Sequence, residues 1–266
     1  MGLTAHVVVS GSSDSWTLNI MPKQFVLEIC VESVDRAMAA ERGGAQRVEL
    51  CSDLASGGVT PSAGLMKVAR KQVGLPIFVL IRPRRGDFVY SKREFETMAE
   101  DIRTARQLDM DGIVLGLLNT KGEVEIARTR KLVELAHPLP VTFHHAFDAA
   151  PDLQRSLQAV LRTGASRILT SGGKPRAVDN ISSLAELVAR ANDRISIMPG
   201  GGINARNVTR ISRHTSACEI HTSLGTSLQS SNGQSHRGSD TDPYGLKWFE
   251  KGVRELVNIL ATDGSR

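Results

Sequence analysis

The sequence predicts a single (β/α)8 barrel, a TIM barrel of eight parallel strands. Three observations carry that prediction. From residue 25 onward, short apolar, β-branched runs alternate with amphipathic stretches. There are eight such pairs, and a chain of 266 residues is the length this closed fold needs. Polar, ionisable residues recur at the C-terminal end of nearly every run, the face on which such barrels carry their chemistry. A doubly wound open sheet is the alternative. It has fewer strands as a rule, and its dinucleotide-binding form needs G-x-G-x-x-G after the first strand, which is absent here.

The elements follow in order. Strands are expected at 25–30, 46–51, 76–82, 112–116, 140–144, 166–170, 194–198 and 217–221. Helices are expected at 32–42, 61–72, 91–108, 123–135, 151–163, 179–190, 204–212 and 244–260. Pro61 and Pro151 suit a first helical turn, where the missing N–H is no loss. Ser91-Lys-Arg-Glu94 reads as a capping box. Gly43-Gly44, Gly74 and Gly164 fall where helices should stop. Residues 1–24 read as a loosely ordered extension ahead of the barrel domain, 25–266. The polar, glycine-containing stretch 229–243 reads as a mobile loop before the last helix.

Composition narrows the function classes. Thirty-three basic against 28 acidic residues give a net charge of +5, and the basic residues are scattered without interleaved aromatics. That argues against nucleic acid as a partner. No run of about 18 apolar residues is present, so no membrane partner is expected. The first 24 residues lack the order of a signal peptide, and Met1-Gly2 fails as a myristoylation site because position 6 is His. Three cysteines at wide spacing are no disulfide framework and fit a reducing compartment.

The first two strands nearly repeat each other: Phe25-Val-Leu-Glu-Ile-Cys30 and Arg47-Val-Glu-Leu-Cys51. Residues two apart in a strand share a face. Glu28 and Cys30 therefore point together, as do Glu49 and Cys51. The other strand ends add Arg82 and Arg84, His144, Thr170-Ser171-Gly172-Gly173, Gly200-Gly201-Gly202, and Glu219 with His221. Each has a plainer reading. Glu28 or Glu49 can simply pair with Arg82, and a strand cysteine is usually a small buried hydrophobe. By alternation Cys218 faces away from Glu219 and His221, and is expected in the core. His145 should point away from His144's face, and His137 should lie on the surface. The glycine runs bare backbone amides, so Ser171, Gly172, Gly201 and Gly202 form a candidate anion site.

Leu-Glu-Ile-Cys30, Val-Glu-Leu-Cys-Ser-Asp-Leu54, Ile-Arg-Pro-Arg-Arg-Gly-Asp-Phe88, Thr-Phe-His-His-Ala-Phe-Asp148, Ile-Leu-Thr-Ser-Gly-Gly173 and Met-Pro-Gly-Gly-Gly-Ile203 resemble the CutC copper homeostasis family, over residues 25 to about 221. The resemblance implies a TIM barrel, a cytoplasmic and, in eukaryotes, also nuclear location, and self-association to a homodimer or homotetramer. It also implies a role in copper tolerance or trafficking, with copper as partner: Cu(I) held at the positions of Cys30 and Cys51. Thiolates suit that soft ion. Two positions depart from the family pattern, His145 and Gly225, each standing where the family has Arg.

Two function classes result. The first is a Cu(I)-binding homeostasis protein without turnover, its metal ligands Cys30 and Cys51. The second is an enzyme acting on a small anionic metabolite. There Glu28 and Glu49 would serve as acid and base, His144 would assist, and Arg82 would polarise a carbonyl or hold an anion. In this reading Glu28 and Glu49 lie deep in the barrel with Arg82, while the two thiols lie nearer the rim.

Overall fold

The computed structural model describes residues 25–224, 242 and 245–263. The predicted extension, 1–24, lies outside the described residues, as does the predicted loop, 229–243, apart from Asp242.

Eight strands run β1 Val26–Val31, β2 Arg47–Leu50, β3 Ile77–Leu80, β4 Gly112–Leu115, β5 Val141–Phe143, β6 Arg167–Thr170, β7 Ser196–Pro199 and β8 Glu219–Thr222. Eight helices follow them: α1 Val34–Arg42, α2 Ala63–Gln72, α3 Lys92–Gln107, α4 Ile126–Ala136, α5 Leu153–Leu161, α6 Ile181–Ala191, α7 Val208–Thr215 and α8 Leu246–Asp263. All strand pairs are parallel and neighbours follow chain order, with β8 beside β1. β7 and β8 meet at the seam, where Ser196 donates its hydroxyl to Glu219 Oε1 at 2.6 Å. The (β/α)8 barrel is the observed fold.

Local signals explain the helix starts. Ser33, Ser62 and Asp152 accept the free amides of α1, α2 and α5, and Ser91 and Glu94 form a complete capping box on α3. Pro61 and Pro151 stand one residue before these caps rather than in the first turn, because the capping side chains of Ser62 and Asp152 claim the cap position. Gly43 caps α1, and Gly44 takes a φ of 91°, a backbone conformation that costs glycine little. Asp242 accepts the amides of Leu246 and Lys247 at the start of α8.

Alternation sorts the side chains into two layers. Leu27, Ile29, Val31, Val48, Leu50, Ile77, Val79, Ile113 and Leu115 point outward and are fully buried against the helices. Residues between them point into the barrel, and many are charged. At the N-terminal side of the interior, Arg47 pairs with Glu28 and with Glu219 at 2.5 Å, and Arg167 pairs with Glu219 at 2.6 Å. Both guanidinium groups lie over the Phe78 ring, at 4.8 and 5.4 Å. Gly112 makes room for that ring, because a Cβ there would meet it at 2.5 Å.

Candidate metal centre

Strand register brings the first two strands' chemistry together. Cys30 lies opposite Glu49, and Glu28 lies opposite both Arg47 on β2 and His221 on β8. Cys51 follows β2 directly, and its amide donates to Val31 O, so it continues the inward face one step above Glu49. The Cys30 and Cys51 sulfurs are 3.5 Å apart. Ligand atoms of Cys30, Glu49 and His221 lie within 4.8 Å of one another, and all three residues are buried. Barrel stagger thus leaves the two thiols in contact. They are buried at 4% and 0% exposure rather than sitting at the rim, because Leu54, Leu80, Phe78 and Val114 pack around them.

The acids divide sharply. Burial alone would raise the Glu28 carboxyl, but Arg47 and His221 overcome that and hold it near 2. Being ionised, Glu28 only accepts, so His221 Nδ1 donates to it at 2.7 Å. That bond orients the imidazole. Glu49 has no such support. Its Oε2 is buried without a hydrogen-bond partner and stands 3.7 Å from His221 Nδ1. Burial, together with the nearby Glu28 charge, raises its pKa to about 8 despite the pull of His221. The Cys30 thiol is also pushed well above its ordinary value, first by its contact with Cys51 and then by burial and Glu49.

The expected grouping of Glu28 and Glu49 with Arg82 does not form. No hydrogen bond or ion pair among the described residues joins them. Arg47 takes Glu28 instead, because register sets it directly opposite. Arg82 turns to the β2–α2 loop and donates to Gly57 O and Gly58 O at 3.0 Å, and to Gly86 O at 2.8 Å. His144 stands with Arg82 beside Phe88, not with the acids. The candidate acid–base set is therefore split between two sites.

The Ser171–Gly172 half of the candidate anion site is satisfied from within. Asp148 accepts the amides of Ser171 at 3.0 Å and Gly173 at 2.8 Å, the Thr170 hydroxyl at 2.6 Å, and His145 Nδ1 at 2.7 Å. Gly172 donates to Thr170 Oγ1. Gly201 and Gly202 engage neighbours through their carbonyls, which accept from Ala177 and Asn207. An internal carboxylate takes the Ser171 amide, where an external anion was expected, and the Gly172 amide turns to Thr170 Oγ1 instead. His145 is half-exposed, and His137 is exposed, as alternation and sequence position suggested. Cys218 is exposed rather than core. It directly precedes β8, at the N-terminal end of that strand.

Sequence reasoning missed Arg47 and Arg167 inside the barrel, and it named His221 without giving it a partner. The alternation Arg47–Glu49–Cys51 held the signal for the first, and Glu219–His221 for the last.

Comparison with known proteins bears on the fold and the family. A sequence profile described as CutC family matches residues 25–226. The mouse (Mus musculus) protein named copper homeostasis protein cutC homolog is 46% identical over 247 residues, covering 90% of each chain. A Vibrio cholerae family protein CutC is 46% identical over 209 residues, 78% of this chain and 82% of that one. The crystal structure of CutC from Streptococcus agalactiae superposes with a TM-score of 0.72 at 35% identity, covering 76% of this chain and all of that one. Thiamine phosphate pyrophosphorylase from Pyrococcus furiosus, at 17% identity and a TM-score of 0.57, shares the fold alone. A barrel of this topology, with a Glu-x-Cys pair on its first two strands and that degree of identity across most of its length, belongs to the CutC family.

Proposed function

We propose that this chain is a copper homeostasis protein that binds Cu(I) between Cys30 and Cys51. The observation that carries the reading is the 3.5 Å contact between two buried thiols beside Glu49 and His221. Paired sulfur ligands favour a soft ion over the hard cations that prefer oxygen. Sulfurs this close subtend roughly 100° at an ion bound at about 2.3 Å, the zinc–thiolate distance. That angle suits a bent site better than a linear pair; Glu49 and His221 come within 4.8 Å of Cys30, while Cys51 reaches the group only through Cys30. Loading requires both thiols to lose their protons, so affinity rises with pH.

The names carried by the mouse and human relatives support the copper role. On the family resemblance the reading extends to a cytoplasmic, also nuclear, protein that assembles as a homodimer or homotetramer. No helix among the described residues is long and apolar enough to cross a membrane. The test is an anaerobic Cu(I) competition titration against a chromophoric chelator. The wild type should take up one tight equivalent, and a Cys30→Ser, Cys51→Ser double variant should lose it. Equal affinity in the folded double variant would overturn the proposal. Sedimentation velocity on the same samples tests the assembly.

A further inference from the structure

Away from the thiols, two buried hydrogen-bond donors at the barrel mouth lack an acceptor. Arg82 uses both terminal nitrogens on loop carbonyls, yet its buried Nε makes no hydrogen bond among the described residues; the Tyr90 hydroxyl beside Arg82 is likewise buried without a partner. No carboxylate forms an ion pair with it among those residues either, although the side chain is 7% exposed. His144 is 5% exposed. Its Nδ1 accepts the Ala146 amide at 3.1 Å, so the neutral ring carries its proton on Nε2. That Nε2 is also buried and without a partner. Burial and the Arg82 charge keep the ring neutral, its pKa lowered to about 3.

The two side chains are neighbours at the mouth. Leu80 pairs with Val114 and Leu115 with Phe143, so Arg82, Gly116 and His144 follow one another around the mouth. Gly116 has no side chain, and His144's ring lies over it: a Cβ there would meet Nδ1 at 2.4 Å. The ring therefore leans across β4 toward Arg82. Both groups rest on Phe88, the guanidinium 4.9 Å and the imidazole 5.1 Å from its ring. A buried cation and a buried N–H donor, each lacking an acceptor, are costly unless something supplies one.

We propose that Arg82 Nε–H and His144 Nε2–H form a binding site for the carboxylate of a small organic acid, seated at the barrel mouth against Phe88. A carboxylate fits better than a phosphate. The site offers one fixed charge and one neutral donor, and the loop amides of Ser171 and Gly173 are already held by Asp148. The site is separate from the thiol pair and does not rest on the copper reading.

The experiment is an NMR titration of full-length protein, 15N-labelled at histidine, with acetate, malonate and pyruvate as probes and inorganic phosphate as control. A carboxylate probe should shift the His144 Nε2–H resonance saturably. His144→Phe, which keeps a ring on Phe88, and Arg82→Lys, which keeps the charge without Nε, should each weaken binding about tenfold, as read by calorimetry. Gly116→Ala should do the same by pushing the ring aside while removing no donor. The absence of a saturable shift with any carboxylate in the wild type overturns the proposal, whatever the variants do. Undiminished binding in variants that keep the wild-type melting temperature overturns it too, as does a response to phosphate equal to that for carboxylates.

Discussion

Cys30 and Cys51 touch through their sulfurs at 3.5 Å, although neither is the other's partner on the strand ladder. Cys30 sits opposite Glu49, and Cys51 stands one inward position further along. The contact is diagonal, and the residue directly across from Cys30 is an acid without a hydrogen-bond partner for its buried oxygen. Thiol pair and acid are thus one constellation, fixed by the register of two strands.

Thiol reactivity should separate the three cysteines. Cys218 is exposed, whereas Cys30 and Cys51 are buried and the Cys30 thiol is held protonated. Thiolate is the reactive form. In native protein at neutral pH, iodoacetamide should label Cys218 first, and Cys30 and Cys51 only on unfolding. Peptide mass spectrometry reads this directly.

Glu49 should make the protein less stable as pH rises. Its folded pKa of about 8 lies above the ordinary carboxylate value of 4.5, so protonation favours the folded state. The contribution is complete below about pH 4.5 and is lost as pH climbs through 8, at up to about 1.4 kcal/mol per unit. Glu49→Gln imitates the protonated acid. Urea unfolding of that variant should show a flatter pH profile from 5 to 8 and greater stability than wild type at pH 8.

Removing Arg47 should be severe. Arg47→Met leaves Glu28 and part of Glu219 without their cation inside the barrel. Breaking one partner of such a buried pair costs about 3–5 kcal/mol. Adding Glu28→Gln should restore part of the loss, because the uncompensated charge is gone. Chemical denaturation of single and double variants gives the comparison.

Asp148 should act as a clasp between the loops after β5 and β6. Its carboxyl is buried, which alone would raise its pKa, but His145, Thr170 and Ser171 hold it below the usual value. The stabilisation is therefore present above about pH 4 and fades as pH falls through the lowered pKa. Asp148→Ala should cost about 2–3 kcal/mol by leaving buried donors unpaired. Hydrogen exchange at 171–173 should rise in the same variant.

The barrel itself was legible because eight alternations of strand and helix patterns leave few topologies open. That each cysteine shares a face with the glutamate of its own strand was legible, since strand alternation is local; that the two sulfurs meet depends on register between strands. The partners of Glu28 were not. Which cation meets that acid depends on register around a closed sheet, and Arg47, one strand over at the same height, outcompetes Arg82 two strands away. The Asp148 clasp was hidden for a related reason. Glycine-rich turns look alike whether they await an anion or already grip a carboxylate from the neighbouring loop. Cys218 shows the limit of alternation: it fixes direction but not whether a helix lies above.

Gly58 is shared property. Its carbonyl holds Arg82, and a Cβ there would collide with Leu80 at 2.7 Å while making ordinary contact, 3.6 Å, with the Cβ of Cys51. The backbone that aims the guanidinium at the mouth thus also lies against one of the two thiols. Should the proposed copper and carboxylate sites both fill, any coupling through this segment must be mutual: whatever factor the acid imposes on copper affinity, copper must impose on the acid's in return.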